Sequence, residues 1–117
     1  MATREVQATV RERDGVAVID LHGEINALAE ATMQRAYAEA AERKPSSILL
    51  NFGETQYINS TGIALIVGLL TRARAEGRKI TACGLSDHYR EIFEITRLAD
   101  FLTILADEDS AVAEGPR

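Results

Sequence analysis

Four short apolar runs, at residues 16–21, 48–52, 80–84 and 101–105, are separated by segments whose apolar residues recur about every 3.6 positions. Each run is strand length, and the segments between them suffice for a helix and a return crossing. Strands joined in sequence through helices lie parallel in one sheet with right-handed crossovers, so this spacing alone removes most architectures. Ahead of these runs Val6, Ala8 and Val10 alternate with polar residues, and Asp14-Gly15 supplies the positive backbone angles of a tight hairpin. The expected fold class is α/β, in the order β-β-α-β-α-β-α-β: a mixed, mostly parallel sheet with an N-terminal hairpin and packed helices. The second strand is more continuously apolar than the first and is expected to lie deeper in the sheet.

The helical segments have readable ends. Met33, Ala36, Tyr37, Ala40 and Ala41 share one face of a helix that closes near Lys44-Pro45, because proline disfavours helical angles in the residue before it. Residues 53–58 read as a loop. A second helix is expected over residues 61–76, with Ile63, Ile66, Val67 and Leu70 as its core stripe and Gly77 as its stop. Ser86-Asp87 caps a third helix bearing Tyr89, Ile92, Phe93 and Thr96. Residues 106–117 read as a solvated acidic tail with one helical turn around Val112. A length of 117 residues suits a single domain over 1–117.

Charge and composition exclude several functions. A net charge of −5 lacks the clustered cations that displace counterions from nucleic acid, so no nucleic-acid partner is expected. The longest apolar run, residues 63–70, is interrupted by Gly68 and falls far short of the roughly 20 residues that span a bilayer, so no membrane insertion is expected. The charged N-terminus has no signal-peptide apolar region and the single Cys83 has no intrachain partner, which together imply a cytoplasmic location. His22 and His88 show no ligand spacing, so no metal site is expected. Glu24, Asp87, Glu91 and Glu94 read as solvated charge. No catalytic residues, nucleotide fingerprint or phosphate-cradling loop is present, and the chain is not expected to be an enzyme.

One local feature stands apart. Asn59-Ser60-Thr61-Gly62 sits at the mouth of the most apolar segment, where the first amides of a helix lack partners and carry the positive end of its dipole. Asn59 or Ser60 as an N-cap accounts for this economically. The same place also suits a phosphate, and a phosphorylated Ser60 would add about −1.5 to −2 charges. Gly62 would leave room for the backbone of another chain. Leu65 and Leu69 form a second apolar line beside the core stripe, a candidate partner surface. Tyr57 reads first as a lid on the core and second as an aromatic anchor for a partner.

These motifs resemble those of the STAS domain, and specifically the standalone anti-sigma factor antagonists of bacterial partner-switching systems. Asn59-Ser60-Thr61-Gly62-Ile63 is similar to that family's Asp-Ser-[Ser/Thr]-Gly-[Leu/Ile] at a helix start, and Gly23-Glu24-Ile25-Asn26 to its Gly-Glu-Leu-Asp. Residues 48–52 match the strand before the switch loop, and the likeness continues in register from about residue 6 to 105. The resemblance implies that Ser60 is the phosphoacceptor and that Asn59, Thr61, Gly62, Glu24, Asn26, Leu65 and Leu69 contact a partner. That partner would be a GHKL-type serine kinase that is also the anti-sigma factor, with a PP2C-type phosphatase resetting the serine. ATP and Mg²⁺ would belong to the kinase, and this chain would carry no cofactor. Amides at Asn26 and Asn59 depart from the carboxylates of the family, which removes two like charges from beside the serine. An alternative is a STAS scaffold or assembly subunit, stressosome-like or in a lipid-transport complex, that holds a constant partner without phosphorylation; a small-ligand sensor with its pocket near Ser60 is a third.

Overall fold

Asp14 and Gly15 take φ of 50° and 83°, the left-handed pair a two-residue hairpin demands. They turn strand β1 (Gln7–Arg13) back on β2 (Val16–Ile25), with Arg13 opposite Val16. The computed structural model describes residues 5–114. After β2 come a 3-10 turn (Ala27–Ala29), α1 (Glu30–Glu42), β3 (Ser47–Ile58), α2 (Ser60–Ala75) and β4 (Lys79–Cys83). Then follow α3 (Asp87–Ile95), a second 3-10 turn (Leu98–Asp100), β5 (Thr103–Leu105) and α4 (Glu108–Glu114). The sheet order is β1-β2-β3-β4-β5, antiparallel in the first pair and parallel in the other three. This is the expected mixed α/β architecture, with β2 more deeply buried than β1.

Alternation along the strands sends side chains to two faces. Ile19, Leu50 and Ala82 point into the main core, where Met33 and Tyr37 of α1, Ile66 and Leu70 of α2 and Phe93 of α3 meet them. Val16, Val18, Leu49 and Cys83 point to the opposite face, which α4 covers with Ala111 and Val112. Among the described residues no helix is long and apolar enough to cross a membrane.

Four expectations are corrected. Residues 53–58 form the second half of β3 rather than a loop: β2 outruns its apolar run, and His22, Gly23, Glu24 and Ile25 pair with Glu54, Thr55, Tyr57 and Ile58. Because β4 pairs only with Ser47 to Asn51, most of that extension stays uncovered and shows no apolar alternation to read. The last strand is shorter than 101–105, and Phe101 lies outside it, 57% exposed.

The acidic tail is a docked helix, because Arg11 and Arg13 of β1 face it: Arg11 Nη2 lies 2.6 Å from Glu108, and Arg13 reaches Glu108 at 2.8 Å and Asp109 at 2.5 Å. Residues 115–117 of the expected tail lie outside the described residues.

The fourth correction is the rotation of α2. Its buried stripe is Gly62, Ile66, Leu69, Leu70 and Ala73, so Leu69 is core and Val67, expected inside, is 41% exposed. A helix apolar on several sides gives no preferred direction from sequence alone. The close seat of Gly62, described next, sets the rotation.

Candidate functional site

Strands β2 and β3 end side by side, Ile25 opposite Ile58, and each is followed by an asparagine that caps the next element. Asn26 Oδ1 accepts from the Leu28 amide at 2.9 Å and starts the first 3-10 turn. Asn59 Oδ1 accepts from the Gly62 amide at 2.8 Å and starts α2. The two junctions are tied together, since the Asn59 amide donates to the Ile25 carbonyl at 3.2 Å.

Gly62 is held tightly here. A Cβ on it would lie 2.1 Å from the Ile25 carbonyl oxygen, so only glycine lets α2 seat on the end of β2. The space expected for another chain's backbone is therefore filled by this chain's own Ile25. From the other side, the Tyr89 hydroxyl of α3 accepts the Ile58 amide at 2.9 Å and fixes the last residue of β3. Sequence reasoning placed Tyr89 only on an apolar face; the missed signal is that a buried phenol oxygen needs a polar partner.

Ser60 occupies the first position of α2 and is exposed. Because Asn59 is the cap, the Ser60 hydroxyl is not spent on capping and makes no hydrogen bond among the described residues. The first turn of α2 contains no acidic residue, so nothing within it offsets the positive end of a helix of 16 residues. An anion at Ser60 would meet that dipole directly.

The flank of the site is apolar and open. Leu28 is 64% exposed and Tyr57 52%, which corrects the expectation that Tyr57 lids the core. Tyr57 lies in the β3 extension, paired with the half-buried Glu24. Asn26, Glu24, Asn59, Ser60, Thr61 and Gly62 are thus gathered at one end of the sheet. Leu65 is half-buried against the core and Leu69 wholly within it, so the expected second apolar line faces inward.

Other chemistry finds little support. Among the described residues no group of three or more His, Cys, Asp or Glu could hold a metal ion. His22 and His88 are both exposed. Burial pushes the Cys83 thiol up to about 11, with Glu108 and Asp107 adding to the shift, which makes the thiolate scarce at neutral pH.

The family model that matches residues 7–111 is the STAS domain. The chain belongs to the STAS family. It is similar to the anti-sigma-B factor antagonist of Listeria monocytogenes serovar 1/2a, 28% identical over 100 residues that cover 85% of this chain and 88% of the relative. Its fold is similar to that of an anti-sigma factor antagonist from Mycobacterium paratuberculosis, with a TM-score of 0.83, 17% identity and coverage of 97% of this chain and 96% of that one. It is also similar to the Bacillus cell fate determinant SpoIIAA in the phosphorylated form, with a TM-score of 0.69, 20% identity and coverage of 92% and 97%. As a STAS chain it presents an exposed serine at the start of α2, at the end of the sheet where β2 and β3 finish side by side.

Proposed function

We propose that residues 1–117 form one STAS domain acting as an anti-sigma factor antagonist in a bacterial partner-switching pathway. Unphosphorylated, it binds a GHKL-type serine kinase that is also the anti-sigma factor; phosphorylation of Ser60 releases it, and a PP2C-type phosphatase restores the serine. The chain is ligand and substrate rather than catalyst, and works in the cytoplasm. The observation that carries this reading is the division of labour at the start of α2: Asn59 caps the helix, and the Ser60 hydroxyl stands exposed and unengaged beside it.

The exposed Leu28 and Tyr57 support a contact centred on this end of the sheet, since exposed apolar and aromatic side chains beside a polar rim are typical of interface anchors. A phosphate on Ser60 would place charge where such a contact is dry, and its desolvation would weaken the complex. Titration of a candidate GHKL-type kinase from the same organism with wild type and with Ser60→Asp tests the reading. Wild type is expected to bind at least about ten-fold tighter; equal affinities would overturn it.

A further inference from the structure

A second surface lies at the other end of α2, where the helix, the start of β4 and the turn before β5 enclose an open groove of about 970 Å³. Its floor is the edge of the core, the buried Leu70, Ile80, Leu98 and Leu102, and its accessible apolar surface is Val67, 41% exposed, with exposed Phe101 forming part of its wall. The turn carrying Phe101 is set by Arg97, a non-glycine residue at φ 69°, whose guanidinium holds Asp100 at 2.7 Å. Left-handed backbone at such a residue persists only where surrounding contacts enforce it, so the Phe101 wall is a built feature of the fold.

The charge around this groove runs against that of the molecule. The chain as a whole carries −5, yet the lining holds Arg74, Arg78 and Arg97 with one carboxylate, Asp100. Arg78 pairs with Glu76 and Arg97 with Asp100. Arg74 has no carboxylate partner among the described residues; its guanidinium lies over the Phe101 ring, 5.5 Å from the centroid. An exposed aromatic and an unpaired cation stacked at the lip of an apolar groove make a receptor for a ligand apolar on one face and negative on the other.

We propose that this groove docks an acidic amphipathic helix of a protein partner, its apolar stripe against Val67 and Phe101 and a carboxylate on Arg74. The groove centres about 15 Å along α2 from Ser60, so the contact is separate from the serine and holds whichever state the serine is in.

The test is a titration followed by backbone amide shifts. The probe is a synthetic helix of about 18 residues with Leu along one face and Glu on the other, and its control carries Lys in place of Glu. Shifts at Leu98, Phe101 and Leu102 with the Glu peptide alone are expected, weakening with added salt. Arg74→Glu, at an exposed position, should weaken binding about ten-fold, and Phe101→Ser should do so at unchanged charge. Ser60→Asp should leave binding unchanged. No shift at the groove, equal shifts with the Lys peptide, or shifts confined to Leu28 and Tyr57 would each overturn the proposal. So would groove shifts caused by phosphatidylglycerol vesicles where the Glu peptide causes none.

Discussion

At the scale of single residues, two positions at the site carry separate burdens. Gly62 is steric: a methyl group there meets a carbonyl oxygen at 2.1 Å, and relief requires moving backbone. Gly62→Ala is expected to lower stability by about 1–3 kcal/mol. Gly68→Ala, in the same helix with open space around it, should raise stability by about 0.5–1 kcal/mol through helix propensity. Urea midpoints of the two variants check this, and a shift of the same sign in both would contradict the close-packing argument. Asn59 is electrostatic: an aspartate would cap the Gly62 amide equally well while adding a negative charge beside Ser60. On phosphorylated protein, Asn59→Asp should raise the second phosphoserine pKa, by about half a unit for a carboxylate near 5 Å in a water-like dielectric. Phosphorus NMR titration measures it, and an unchanged value would remove charge from the explanation of the two asparagines.

At the scale of elements, the hairpin, the parallel strands, the caps and the first and third helices were legible because each had a local cause: Asp14-Gly15, short apolar runs, Ser86, Lys44-Pro45. The β3 extension and the rotation of α2 were not, because one depends on the length of a neighbouring strand and the other on a glycine meeting Ile25. The docking of α4 was hidden for a related reason. Its acids look solvated until β1 places Arg11 and Arg13 beneath them. Those arginines hold the Glu108 carboxyl down at about 2, Arg11 contributing most, and Arg11 likewise lowers Asp20. Since the folded value lies below the ordinary one of 4.5, the contribution is complete above about pH 4.5 and disappears as pH falls through about 2. Backbone shifts of Ala111 and Val112 should therefore report loosening of α4 across that window. At pH 7, Glu108→Gln should speed amide hydrogen exchange of Ala111 and Val112 about five-fold, equivalent to about 1 kcal/mol of docking. Unchanged exchange would mean that Ala111 and Val112 hold the helix without the ion pairs.

At the scale of the whole molecule, the sheet is a frame with the candidate site at its margin. Parallel strands bring the ends of β2 and β3 together, and the loops that follow carry both asparagines, so residues 24–26 and 59–62 meet although far apart in sequence. The site residues were legible as a motif, whereas the exposed Leu28 and Tyr57 beside them and the Tyr89 brace behind were not, because exposure and long-range hydrogen bonding are properties of the assembled fold. The central claim, that the unengaged hydroxyl of Ser60 is a phosphoacceptor, is tested most directly by intact-mass analysis with fragmentation. The protein is incubated with ATP, Mg²⁺ and a candidate GHKL-type kinase from the same organism. The account predicts one added phosphate, on Ser60 in wild type and absent from Ser60→Ala; a stable complex with the kinase and no added phosphate would contradict it.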